Sequence, residues 1–401
     1  MADAALPLSG IQVLDAATFI AGPSCAALLS EFGADVIKVE HPQGGDPLRR
    51  LGTKAGEHDS LLWLNEGRNK RSVTLNLKDP RGAALFRQMA AKTDVVAENF
   101  RPGTMERWGL GYDALSAANK GLILLQISGF GQDGPYKDRP GFARIAHAVG
   151  GLTHLTGEEG GAPLTPGSTS LADYMSGLYG AIGVLLALRH RDATGMGQVI
   201  DVALYESVFR ALDEIAPAYA LTGLVRGRQG VGTVNACPHG HFPTADGKWV
   251  AIACTNDKMF ARLAEVMQAP ELAGPDLYQS VKSRLQASEK VDHLVRDWCL
   301  RHDQASVVSM CEVGEVPCGP VLSIDDILSD PHYAARGTLQ QVEVPGLGTL
   351  PFPAPLPRLS STPGTLRHVG PALGNANDQV YGEMLGLSDD ERATLAADGV
   401  I

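Results

Sequence analysis

Ile11-Gln-Val-Leu-Asp-Ala-Ala-Thr-Phe-Ile-Ala-Gly-Pro23 is the stretch on which the fold turns. Ile11–Asp15 is an apolar run of strand length, and Gly22-Pro23 opens a helix because proline loses no needed N–H in the first turn. The helical pattern runs from Pro23 to Phe32, and Val36-Ile-Lys-Val-Glu40 reads as the next strand. Further strands are expected at Ser72 to Leu77, Asp94 to Ala97 and Leu122 to Ser128. A helix from Pro80 to Lys92, with Leu85, Met89 and Ala90 inward, stands between two of them. Strands alternating with helices predict a parallel sheet with crossover helices, an α/β fold of the doubly wound, Rossmann-like kind.

Beyond the Gly/Pro-rich loop Gly129–Pro135, Leu171, Tyr174, Leu178, Ile182 and Leu185 recur at helical spacing and predict a long helix from about Ser170 to Arg191. A strand over Gln198 to Val202 and a helix from Leu204 to Leu221 follow, and Gly223–Gly232 reads as a linker. A smaller α/β unit comes next, with strands at Trp249 to Cys254 and Gly319 to Ser323 and helices at Asp257 to Met267 and Lys290 to Arg301. The Pro-rich segment Val344 to Pro363 is expected to run extended, and Ser388 to Asp398 to close the chain as a helix.

The 401 residues are enough for one large core or two unequal ones. A formal net charge of -11 argues against nucleic acid, whose phosphates need clustered Lys and Arg. The first ten residues lack the basic start and apolar stretch of a signal peptide, and no apolar run reads as membrane-spanning. Six scattered cysteines do not make a secreted disulfide framework, so a reducing cytoplasm is expected.

The opening strand-helix-strand places Glu40 where a ribose-binding acid would stand. Ala21-Gly22-Pro23, however, lacks the spaced glycines that let backbone approach a pyrophosphate, so no nicotinamide site is read. Cys237-Pro-His239-Gly-His241 does not match common zinc spacings, and no metal is expected. No Gly-x-Ser-x-Gly elbow is present for a hydrolase. Asp173 falls in the first turn of the long helix, where the peptide dipoles favour a carboxylate; position alone fits a capping acid or a nucleophile. Arg49, Arg68, Lys70, Arg71, Lys78, Arg101 and Arg107 stand near expected strand ends, where a phosphate-bearing ligand of an open sheet would lie.

In order along the chain, several motifs resemble the family III CoA-transferases, the group that includes formyl-CoA transferase, carnitine CoA-transferase and α-methylacyl-CoA racemase. They are Leu8–Asp15, Ala21-Gly-Pro23, Leu29–Glu40, Asn69-Lys-Arg-Ser72, Glu98-Asn-Phe-Arg-Pro-Gly103 and Gly129–Pro135, then Ala172-Asp-Tyr-Met-Ser-Gly177, Thr194–Gln198 and Val316–Val321. The resemblance implies that Asp173 is the nucleophile, forming an acyl-aspartyl anhydride and then an aspartyl-CoA thioester. It needs no permanently bound cofactor, since the CoA thioester is itself substrate.

The resemblance further implies that CoA lies against Ala17, Thr18, Phe19, Ile20, Leu75, Lys78, Asn99, Phe100 and Arg107. His41 stands where formyl-CoA transferase has an arginine, which shifts expected phosphate contacts to Arg49, Arg71 or Lys78. The family fold implies a large domain from 1–225 and 331–401, a small domain over 226–330, and an interlocked homodimer. Phe142-Ala143 lacks the racemase histidine and the acid of many transferases, while Arg144, His147, His239 and His241 are available for a substrate carboxylate. The expected reaction moves CoA from succinyl-CoA to a four- or five-carbon dicarboxylate such as malate, citramalate, mesaconate or itaconate. The alternatives are transfer between the two carboxylates of mesaconyl-CoA and, further off, 2-methylacyl-CoA racemisation.

Overall fold

The computed structural model describes residues 5–57, 59–167 and 170–401. They form two compact units: Met1–Leu152 with Thr165–Glu214 and Gly337–Ile401, and Thr153–Leu164 with Ile215–Arg336. The chain divides at 214/215 and 336/337, where 225/226 and 330/331 were expected, and 153–164 falls in the second unit.

The first unit is built on β1 (Gln12–Asp15), α1 (Ala21–Glu31), β2 (Asp35–Glu40), β3 (Lys70–Thr74), α2 (Pro80–Ala90), β4 (Val95–Glu98), β5 (Ile123–Ser128), α3 (Ala143–Val149), α4 (Leu171–Thr194), β6 (Val199–Ala203) and α5 (Leu204–Phe209). The strands lie in the order β3-β2-β1-β4-β5-β6 and every pair is parallel. Successive side chains of a strand face opposite ways, so neighbouring residues enter different cores. Val13, Val36, Val95 and Ile123 pack with α1 and α4, whereas Leu14, Ile37, Val96 and Leu124 pack with α2 and the C-terminal Tyr381, Val400 and Ile401. Both faces being covered explains why these strands read as continuous apolar runs.

Residues of the returning C-terminal segment finish the β3 edge. Asn375 and Asn377 accept the Ser72 and Thr74 backbone N–H groups at 2.8 and 2.9 Å, so the strand offers no open ladder there. A hairpin of Leu339–Val344 and Gly348–Pro353 occupies the first half of the Pro-rich stretch expected to be simply extended.

Helix α4 packs closely on α1 because Gly177 lacks a side chain. A Cβ there would meet Ser24 Oγ at 2.3 Å and the Ala21 carbonyl oxygen at 2.9 Å. With 24 residues and an 18-residue stretch of mean hydropathy 1.5, α4 has the length and composition of a membrane span, contrary to the expectation that no run would. Its Ser176, Gly180, Ala181, Val184, Ala187 and Leu188 are nonetheless buried within the first unit, as in a core helix.

The helix expected over Leu204 to Leu221 breaks in two. It stops at Phe209, Asp213 takes a left-handed φ of 49°, and α6 begins at Ile215 and runs to Thr222, inside the second unit. That unit carries an antiparallel sheet of β7 (His239–Pro243), β8 (Trp249–Ala253) and β9 (Cys318–Pro320). Its core joins Phe242, Val250 and Ile252 with Phe260, Leu263, Val295 and Trp298 from the surrounding helices.

Candidate active site

The loop after β1, residues 16–20, rests on buried charge. Lys38 lies 3.1 Å from Asp46 and 3.6 Å from Asp15, and also donates to the Ala17 carbonyl. Lys70 pairs with Asp15 at 2.9 Å and donates to the Pro23 carbonyl at 2.7 Å, all four side chains being out of contact with solvent. Burial opposes the Lys38 charge, but the Asp15, Asp46 and Glu40 carboxylates outweigh it and hold the ammonium above its ordinary value. Asp46 accepts the Phe19 N–H at 3.0 Å while Phe19 holds φ 61°, a left-handed backbone uncommon for an aromatic residue. Charged residues of β1, β2, β3 and the turn after β2 therefore fix the loop from beneath. Their apolar setting gave no sequence signal beyond a lysine inside a strand.

The strand order reverses between β1 and β4, the crevice where open α/β sheets bind ligands. Asn99 bridges it, accepting the Thr18 N–H at 2.7 Å and donating to the Thr18 carbonyl at 2.6 Å. Glu98 beneath is pushed up to about 7 by burial, against the Phe100 N–H and Gln126 amide that its carboxyl accepts at 2.6 and 3.0 Å.

Two cavities meet at this bridge, both touching Thr18 and Phe100. One, of about 260 Å³, has Leu75, Lys78, His41 and Trp108 in its wall; Trp108 meets Phe100 edge-to-face at 5.1 Å. The other, of about 190 Å³, is lined by Phe19, Ile20, Arg101, Lys137, Arg139 and Phe142 and reaches Asp173. A third, of about 260 Å³, reaches Asp173 past Arg144, His147, Thr165 and Ser170, sharing Phe19, Ile20 and Phe142 with the second. Phe19 and Phe142 meet edge-to-face at 5.9 Å, so the carboxyl is approached from two sides of an aromatic pair.

Asp173 sits in the first turn of α4, whose cap residue Ser170 accepts the Asp173 N–H at 2.9 Å through its carbonyl. Burial pushes the carboxyl up to about 6, with the Ser170 hydroxyl pulling the other way. The dipole expected to favour the charge is thus outweighed by desolvation, leaving a carboxylate that is ionised at neutral pH but poorly solvated. His147, 1% exposed, accepts the Ala172 N–H on Nε2 at 2.9 Å.

The remaining expected residues fall into groups. Arg49 is corrected as a phosphate ligand: only 3% exposed, it donates two bonds of 2.6 Å to Glu40, pairs with Asp59 and lies 3.7 Å from the Trp63 ring centroid. The buried Glu40 carboxylate requires that charge, and the arginine has none to lend. Arg68 is likewise taken up by Glu31, at 3.2 Å. Arg71 pairs with Asp35 and donates to Gln379 at 3.1 Å. Arg107 is exposed and donates to Thr104 at 2.7 Å. Lys78 is exposed beside Leu75 and, among the described residues, pairs with no carboxylate. His239 and His241 lie on β7 of the second unit. Lys137 and Arg139 were missed because the Gly/Pro-rich segment ahead of them read only as a loop.

A family model for CoA-transferase family III matches residues 8–377. The chain is 56% identical over 398 residues to the succinyl-CoA–L-malate CoA-transferase beta subunit of Chloroflexus aurantiacus, covering 99% of this chain and 98% of that one. To the alpha subunit from the same organism it is 52% identical, covering 99% and 93%. A crystal structure of a CAIB/BAIF family protein from Brucella suis superimposes with a TM-score of 0.84 at 32% identity, over 95% of this chain and 100% of that one. The chain is an α/β enzyme whose crevice opens at the strand carboxyl ends. The chain belongs to CoA-transferase family III.

Proposed function

We propose that this enzyme transfers CoA from succinyl-CoA to a four- or five-carbon dicarboxylate, L-malate first among them, through covalent intermediates on Asp173. The observation that carries the reading is the Asp173 carboxylate, desolvated yet ionised, at the meeting point of two cavities. The succinyl-CoA–L-malate activity named for the two Chloroflexus relatives supports the acid pair.

The Asp173 carboxylate attacks the thioester carbon, the C–S bond breaks, and a mixed anhydride and CoA thiolate result. The thiolate then attacks the Asp173 carbonyl carbon, expelling succinate and leaving an aspartyl-CoA thioester. The acceptor carboxylate reverses the sequence: it attacks the aspartyl thioester, and the released thiolate takes the acceptor's acyl carbon, freeing Asp173. One anion enters and one leaves at every step, so no net proton transfer is needed. A carboxylate shielded from water is a stronger nucleophile, and the same dry surroundings protect the anhydride from hydrolysis.

CoA is assigned to the crevice, with Thr18, Phe19, Ile20, Leu75, Asn99 and Phe100 along it, the Phe100–Trp108 wall facing the base, and Lys78, Lys137 or Arg139 receiving phosphates; Ala17 and Arg107 are assigned to CoA on the family resemblance alone. Arg144, within the third cavity and bonded to Thr165 at 3.2 Å, supplies positive charge on the acid side. No resident cofactor or metal enters this scheme. Leu178, Ile182, Leu185 and Leu186 form an exposed apolar stripe at helical spacing along α4, which supports an interlocked homodimer. Free, mostly buried cysteines support a reducing cytoplasm.

The test incubates the protein with succinyl-CoA and a panel of dicarboxylates and follows acids and thioesters by mass spectrometry. Hydroxylamine trapping of acylated Asp173, with Asp173→Ala as control, accompanies it. CoA exchange together with a trapped adduct is expected; failure of exchange with every acid overturns the proposal.

A further inference from the structure

His147 is nine-tenths and more buried, yet only one of its two ring nitrogens has work inside the protein. Nε2 accepts the N–H of Ala172, the residue directly before the nucleophile, at 2.9 Å. An acceptor nitrogen carries no proton, so in the neutral ring the proton sits on Nδ1. Among the described residues Nδ1 has no hydrogen-bond partner. A buried donor left unpaired is costly and rare enough to require a reason. The ring stays neutral because burial and the neighbouring Arg144 guanidinium both hold its basicity below the ordinary value. Arg144 in turn has no carboxylate partner among the described residues, and both side chains line the cavity that reaches Asp173 alongside Ser170.

We infer that His147 is the specificity-determining residue of the acid side: its Nδ1–H, together with Arg144, receives the remote carboxylate of the dicarboxylic acyl group, while its Nε2 positions the backbone that carries Asp173. This inference rests on the proposed function and goes beyond it by linking recognition of the second carboxylate to the seat of the nucleophile. A monocarboxylic acyl group of the same length leaves the buried Nδ1–H unpaired and Arg144 without its counter-charge. Discrimination against a substrate that lacks a required polar group is large when the site is built to bond it.

Two conservative variants separate the two nitrogens. In His147→Gln the side-chain oxygen reaches the Nε2 position and keeps an acceptor for Ala172, but the Nδ1 donor is gone. In His147→Asn the amide N–H stands at the Nδ1 position, but the acceptor is gone. The readout is kcat/KM for acylation with succinyl-CoA and with butyryl-CoA.

The wild type is expected to favour succinyl-CoA by roughly a hundredfold or more. His147→Gln should reduce that preference at least about tenfold, by losing more with succinyl-CoA than with butyryl-CoA, whereas His147→Asn should keep the preference and lower kcat for both donors. A His147→Gln enzyme with undiminished preference, or two variants that lose both donors equally, overturns the inference. Where a variant folds poorly the wild type decides: succinamoyl-CoA, which keeps a hydrogen-bond acceptor but no charge, should fall between succinyl-CoA and butyryl-CoA, and equal kcat/KM for all three overturns the inference. Absence of any covalent adduct on wild-type Asp173 is a separate result, which overturns the proposed function and this inference with it.

Discussion

The Asn99 side chain holds both backbone groups of Thr18, accepting its N–H at 2.7 Å and donating to its carbonyl at 2.6 Å, and so ties the loop after β1 to the loop after β4 across the crevice. The amide does both at once because its acceptor oxygen and donor nitrogen are separate atoms. Asn99→Asp, of nearly the same shape, turns the donor into a second acceptor facing the Thr18 carbonyl. It should raise KM for CoA thioesters and cost about 1–3 kcal/mol of stability, measured by steady-state kinetics and urea denaturation.

Asp173 should govern the pH profile. With the carboxyl at about 6, kcat/KM is expected to fall on the acid side with a midpoint near that value, because only the carboxylate attacks. A flat profile down to pH 5 would contradict a carboxyl raised to about 6.

The same shift has a consequence for stability whose sign is opposite to that of a salt-bridged acid. The folded-state value of about 6 lies above the ordinary 3.8, so the folded protein binds the proton more tightly. Stability from this group is present below pH 4 and is lost as pH rises through 6, making the ionised side chain a burden at pH 8. Asp173→Asn should therefore raise stability at pH 8 by about 1–3 kcal/mol, with little gain at pH 4, while abolishing the trapped adduct. Thermal melts of both proteins at the two pH values decide it.

Lys38 and Lys78 are both basic residues beside the same cavity, but only the first is buried among carboxylates. Lys38→Met leaves Asp15 and Asp46 short of a counter-charge and should destabilise the fold by about 3–5 kcal/mol. Lys78→Ala should leave stability within about 0.5 kcal/mol and weaken CoA binding several-fold, an effect that shrinks as salt is added. Denaturation curves and CoA titrations at two ionic strengths make the comparison.

For the assembly, Leu186→Glu puts a charge in the exposed stripe of α4. Sedimentation velocity should show the wild type at the mass of the proposed dimer and the variant at that of a monomer. The same sedimentation coefficient for both would overturn the role proposed for this face.

The sheet was legible because its strands are buried on both faces, and such strands announce themselves as short apolar runs between helix signals. Strand ends slipped by up to three residues where apolar runs extend past the paired strand, as at Leu77 beyond β3. Arg49 was read as a ligand-binding charge because sequence shows a charge but not its partner. Glu40, nine residues earlier, claims it only once β2 and the following turn are folded.

The sequence by itself determined the order of strands and helices, the long helix that begins just before Asp173, and the motifs of the family, since all of these rest on neighbours along the chain. What the tertiary structure alone decided is which charges are spent internally, which cavities open on Asp173, and how His147 comes to grip Ala172 from 25 positions away. Burial and partnership depend on residues brought together across the sheet, and these change the energy of a charge by more than its local sequence can.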